Sequence, residues 1–272
     1  MANRFYTGGV RWAKAALLRM AGNGHRLPVL VPGAYRILMY HRFSPAPDPS
    51  GARMDARTFE WQLRHLKQDW QVIPLGDLLD ALRDGRQLSP RTAVITVDDG
   101  YLDFYQVAYP LLRKFELPAT FFATLNFVEG RIWLWPDILC HVLHHTRRPG
   151  LQVAWRGSTF GLPLQSPSAR QQSWQRLSDY CSELPDGEKW EFIRHLADTA
   201  GVAVPQHPLP EFAPVTFDQL TEMSRSGIEI GAHSLNHPIL SRVDDDTLVA
   251  ELCDPKRILE ERLGVEVRSL AY

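Results

Sequence analysis

No apolar run in the 272 residues approaches the ~18 that a bilayer-crossing helix needs, which excludes a membrane span of that kind. Cysteine is scarce. Cys140, Cys181 and Cys253 are odd in number and far apart, which excludes a disulfide framework and a Cys-x-x-Cys metal knuckle and leaves ordinary free thiols of a reducing compartment. Neither sign of charge dominates: Lys and Arg total 30 against 31 Asp and Glu, a net charge of -1, so no electrostatic footprint for nucleic acid exists. No internal repeat is evident. At 44% hydrophobic and 22% charged, the chain is neither a coiled coil, collagen-like nor disordered throughout. A secretory signal is not expected, because Arg11, Lys14 and Arg19 interrupt any apolar stretch near the N-terminus. The expected placement is cytoplasmic, with association to the cell envelope left open.

What is there suits a globular chain of one or two domains, burying roughly three-quarters of its unfolded surface. Residues 1–34 read as a basic N-terminal segment and linker. Within it, residues 4–20 place Val10, Ala13, Leu17 and Met20 at helical spacing among Arg4, Arg11, Lys14 and Arg19. Such a helix lies on an anionic membrane surface or packs on its own domain, and both readings stay open. Gly22, Gly24 and Pro28 lead into the domain, residues 35–272.

Inside that domain, short apolar strands alternate with helical patterns. Residues 35–40, 70–74, 93–97, 119–124, 228–232 and 265–272 read as strands. Residues 35–40 and 93–97 carry the pattern of fully buried strands. Helices are expected from Thr58 as N-cap, over 75–84 ending at Gly85, over 102–114 bounded by Pro118, after a Thr216-x-x-Gln219 capping box, and over 246–263 with Pro255 kinking or splitting it. Residues 130–215 break the rhythm. They hold Trp133, Trp135, Trp155, Trp174 and Trp190 and read as an insertion, helical near 137–145 and 168–184. The alternation implies a parallel α/β sheet with crossover helices, where chemistry gathers at the carboxyl ends of strands.

Two polar motifs sit at such ends. Adjacent Asp98 and Asp99 follow a buried strand; two close carboxylates call for a neutralising cation, unless they cap a helix. His233 and His237 follow another strand at a spacing that lets both imidazoles reach one ion. One carboxylate with two imidazoles is a three-ligand set with an open position for water, and the second carboxylate is free to act as a base.

Three stretches resemble the polysaccharide deacetylases, also called NodB-homology or carbohydrate esterase family 4 proteins. Residues 96–100 (T-V-D-D-G) resemble the family's T-F-D-D-G motif, residues 233–238 (H-S-L-N-H-P) its H-S/T-x-x-H-P motif, and residues 37–42 (I-L-M-Y-H-R) the opening strand of its bacterial envelope-polysaccharide branch. The resemblance implies a distorted (β/α) barrel. It also implies a hydrolase that removes N-acetyl groups from an amino-sugar polysaccharide or oligosaccharide, with one divalent metal ion, usually zinc. Asp98 matches the base, and Asp99, His233 and His237 match the metal ligands. Ser234 is expected to orient the histidine loop.

The resemblance is incomplete. Ala271-Tyr272 looks like the start of the family's Pro-aromatic-Gly turn, and the general-acid histidine motif is not found, so the barrel is expected to be incomplete at its C-terminal side. A non-catalytic carbohydrate-binding or interaction protein is therefore the rival reading; another metallohydrolase is a third. His41, at a strand end, and Tyr101, beside the aspartates, are expected to contact substrate. His141, His144 and His145 are expected on a solvated helix face, and the insertion tryptophans in its core rather than stacked on sugar.

Overall fold

A computed structural model describes residues 35–48 and 51–272. The expected helix at residues 4–20 lies outside them. The centre is a parallel sheet in which β1 (Arg36–Tyr40), β5 (Thr92–Val97), β6 (Ala119–Ala123) and β9 (Ile228–Ala232) are neighbours in that order, and β4 (Gln71–Val72) also pairs with β5. Among the described residues the outer strands β1 and β9 do not pair with each other. All six residues of β5 are buried, as its unbroken apolar run requires in a sheet covered on both faces. Ile95, Val97, Phe121 and Ile230 pack on one side, against Phe59, Leu63, Leu112, Leu220 and Leu259 from the helices. Val94 and Phe122 pack on the other, against Leu75 and Leu78.

The helices outside the insertion are α1 (Ala56–Asp69), α2 (Leu75–Arg83), α3 (Tyr109–Phe115, entered through a π-helical turn at Phe104–Ala108), the single turn α4 (Leu125–Val128), α8 (Phe217–Arg225) and α9 (Asp245–Leu263). Thr216 and Gln219 form the expected reciprocal capping box of α8.

Several expectations are corrected. Thr58 is not the N-cap of α1; Asp55, in extended conformation at the end of the short strand β3 (Met54–Asp55), which pairs with β2 (Phe43–Ser44), accepts the Thr58 N–H at 3.0 Å. β1 is not buried on both faces. Leu38 and Tyr40 pack inward, whereas Ile37 and Met39 are half exposed, because β1 is an outer strand of the sheet. Pro255 does not split α9, which runs unbroken from Asp245 to Leu263, and the proline is itself buried. Residues 265–272 do not form a strand. Their pairing to the sheet is a single bridge, Ala232 to Leu270. The backbone at Val267 is consumed by α9 instead: its N–H donates to Glu260 and its carbonyl accepts from Lys256.

The insertion has its own core, larger than its sequence suggested. To α5 (Trp135–His145) and α6 (Pro167–Glu183) it adds a hairpin, β7 (Gly150–Trp155) with β8 (Ser158–Pro163), and α7 (Asp186–Ala200). Arg156 and Gly157 turn the hairpin with φ of 45° and 80°, the two positive values that a tight two-residue loop demands. Trp133 and Trp135 are buried in this second core, and Trp155, Trp174 and Trp190 pack on it.

Gly231 is required by packing. A methyl group there would stand 2.4 Å from the buried ring of Phe122, so the ring or the strand would have to shift. Gly231→Ala is expected to destabilise the fold by ~1–3 kcal/mol. Denaturant unfolding checks this, and an unchanged midpoint would contradict it.

Candidate metal centre

The aspartates leave β5 and the histidines leave β9, with β6 between them. Thr124, fully buried at the end of β6, ties the two motifs together. Its N–H donates to the Asp99 carbonyl at 3.0 Å and its hydroxyl to the His233 carbonyl at 3.0 Å. Asp99, Ser234 and His237 all adopt positive φ (85°, 62° and 57°). Three non-glycine residues in this region at one site represent stored backbone strain, which persists only where the surroundings over-determine it. Part of that determination is local: the His237 N–H donates to Ser234 Oγ at 2.9 Å. The rest comes from Glu251 of α9, a buried carboxylate that accepts the N–H groups of Leu235 and Asn236 at 2.8 Å each and the Asn236 side-chain amide at 2.6 Å.

These supports bring three ligand atoms together. Asp99 Oδ1 lies 3.3 Å from His233 Nε2 and 3.4 Å from His237 Nε2, and all three atoms fall within 4.8 Å of one another. Ligands about 2.0–2.1 Å from one tetrahedral ion stand roughly 3.3 Å apart, so the spacing fits. The tautomer fits as well. His233 Nδ1 is 2.9 Å from the Ala271 carbonyl, which only accepts, so Nδ1 carries a proton and Nε2 is the nitrogen left to face Asp99 or a cation beside it.

The electrostatics ask for positive charge at this point. Burial works to raise the Asp99 carboxyl, yet hydrogen bonds from His233 and His237 hold it well below the usual carboxylate range. Burial works to lower His233, and Asp99 overrides it and raises the imidazole. Asp98 differs from its neighbour: burial raises its carboxyl, only partly offset by the histidines. Its Oδ1 is buried without a hydrogen-bond partner among the described residues, and its Oδ2 lies 3.9 Å from His41 Nε2. A cation beside Asp99, with a water in reach of Asp98 Oδ1, would satisfy both observations.

The other expected site residues divide. His41 is half exposed and faces Asp98. Tyr101 is corrected: it is 4% exposed and its hydroxyl donates to Asp137 Oδ2 at 2.7 Å, so it faces the insertion and is not open to substrate. Burial pushes the Asp137 carboxyl up to about 7, against the pull of Arg42. The expected solvated His141 is corrected too. It is buried, 3.1 Å from the Ala203 carbonyl, because α5 packs against α6 and α7; His144 and His145 alone are exposed. Among the described residues, the His, Cys, Asp and Glu groups able to share an ion reduce to Asp99, His233 and His237. Thr124, Glu251 and the Arg42 network were missed from sequence. Only Glu251, a lone carboxylate on an otherwise inward position of α9, carried any signal.

Comparison with known proteins agrees with this geometry. A family model described as polysaccharide deacetylase matches residues 85–154 and 193–272, over half of the chain and inclusive of both motifs. The chain is 34% identical to YxkH of Bacillus subtilis (strain 168) over 92 residues, 34% of this chain and 32% of that protein. It is 32% identical to the poly-beta-1,6-N-acetyl-D-glucosamine N-deacetylase of Escherichia coli (strain K12) over 60 residues, 22% of this chain and 9% of the enzyme. These matches thus span a third or less of the relatives' own length. In fold, it is similar to the Streptococcus pyogenes deacetylase PplD in complex with acetate, with a TM-score of 0.55 and 19% identity over 89% of this chain and 74% of that one.

Proposed function

Since this chain belongs to the polysaccharide deacetylase family, we propose that it is a metal-dependent hydrolase that removes N-acetyl groups from an amino-sugar polysaccharide or oligosaccharide. The observation that carries the reading is the convergence of Asp99, His233 and His237 with the unpartnered Asp98 Oδ1 beside them. Asp99, His233 and His237 would hold the metal, and a three-ligand set of two imidazoles and a carboxylate is one that catalytic zinc takes. When bound, the metal supplies Lewis acidity to the acetamide carbonyl and acidity to water.

The chain's own residues do the rest. Asp98 Oδ1 accepts a proton from the attacking water. A C–O bond forms at the acetyl carbon, the C–N bond breaks, and the proton passes to the departing amine, so that acetate and a free amino sugar leave. Asp98 is available for this because Asp99, and not Asp98, is committed to the two histidines. His233 keeps its orientation through Ala271, and Ser234 and Glu251 keep the loop of His237 in its strained shape. His41, half exposed opposite the base, contacts the substrate at the mouth of the site.

The Escherichia coli relative's name makes β-1,6-linked N-acetylglucosamine oligomers the first probe. Zinc-loaded chain is expected to release acetate from them and not from simple esters. Full metal loading with no acetate release would instead support the binding-protein reading.

A further inference from the structure

Among the described residues no side-chain hydrogen bond orients the base. Asp98 Oδ1 is unpartnered, and the 3.9 Å from Oδ2 to His41 is too long for a hydrogen bond. What holds Asp98 is the backbone on either side of it. Its N–H donates to the Tyr40 carbonyl at 3.0 Å. Further along, Asp103 spends both oxygens on two consecutive residues of the β1 exit: Oδ2 accepts from Arg42 Nε at 2.7 Å and Oδ1 from the Phe43 N–H at 3.1 Å. Residues 40–43 and 98–103 are thus fastened at both ends, with His41 facing Asp98 between the fastenings.

We infer that Arg42 and Asp103 form a latch that positions Asp98, and that both are positioning residues of the reaction although neither touches the metal ligands. The rest of the guanidinium explains why the latch is rigid. It donates to the Glu211 carbonyl, lies 3.9 Å from Asp137 Oδ1, and stacks over Tyr101 with 3.8 Å to the ring centre. Asp137 stands on the first helix of the insertion and Glu211 near its end, so one side chain joins the β1 exit, the aspartate loop and both ends of the insertion. Lysine cannot replace it: an ammonium is a single point, whereas these partners surround a planar fork. Arg42 and Asp103 side chains are only 12% and 15% exposed, and a buried ion pair is a weak source of net stability. Its value here is geometric. A reacting group displaced by about 1 Å can cost on the order of 10²-fold in rate.

The latch rests on the deacetylase reading for the reaction it serves, so its test has an arm that needs no activity. Arg42→Lys, Asp103→Asn and the double variant are made in the full zinc-loaded chain and again in an Asp98→Asn background. The expected result is a kcat for acetate release reduced on the order of 10²-fold, KM and metal content little changed, and the double variant no worse than either single one. In the Asp98→Asn background the same changes should cost nothing further, since there is no base left to position. Hydrogen exchange of the peptide spanning residues 98–104 should quicken in Arg42→Lys.

Parental kcat per bound metal in both single variants, or a full further loss in the Asp98→Asn background, would overturn the proposal. Unchanged exchange would overturn it as well. If Arg42→Lys does not fold, Asp103→Asn, which keeps the side-chain shape, carries every arm. If the parent itself releases no acetate, the deacetylase reading fails, and the exchange arm still decides the latch.

Discussion

Asp98→Asn is expected to lower acetate release by ~10²–10⁴-fold while the chain keeps about one bound zinc. The substitution preserves shape and removes the one thing the mechanism needs there, an acceptor basic enough to take a proton from water. Asp99 is bound to both histidines, and His41 stands 3.9 Å from Asp98 Oδ2. Stability should hold or rise slightly, because the Asp98 carboxylate is buried with an unpartnered oxygen and burial already disfavours its charge. Acetate assays with parallel elemental analysis check both halves. A variant that loses its metal would move Asp98 into the ligand set, and one that keeps full activity would remove it from the mechanism.

Asp99→Asn and His237→Ala are expected to do the reverse, losing bound metal and activity together. His237 is the cleaner position. Its side chain is 22% exposed against 7% for His233, so truncation disturbs the buried surroundings less there than at His233. Asparagine is chosen at 99 because it tolerates the positive φ of 85° better than alanine does. A ligand that binds only the folded chain stabilises it by ~4 kcal/mol at a thousand-fold excess over Kd. Added zinc should therefore raise the melting temperature of the parent and leave both variants unmoved. Equal zinc-dependent shifts in all three proteins would show that the ion binds elsewhere.

The legible part of this site was its pair of strand-end motifs. Asp98-Asp99 and His233-x-x-x-His237 each stand next to a short apolar run, and β5 and β9 are set by those runs almost without help from the rest of the chain. The capping box at Thr216 and Gln219 was equally local and formed as expected. Other expectations failed where a distant group outbid a local one. The backbone of Val267 bonds the Lys256 and Glu260 side chains of α9 in place of a strand neighbour. Tyr101, three residues from the base, turned away from it because Asp137, distant in sequence, offered its hydroxyl a buried partner.

By itself, then, the sequence determined which residues have the chemistry for a metal and a base, and that each stands at the end of a parallel strand. Period, burial and ligand type are properties of a few neighbouring residues. Only the tertiary structure decided that the two ends meet within 4.8 Å, that Thr124 and Glu251 pin them there, and that the Arg42 guanidinium, just past the first strand, joins Asp103 to the insertion. Those contacts join residues from 16 to more than a hundred positions apart. Their partners are chosen by how helices and sheet pack, and no local pattern encodes that choice.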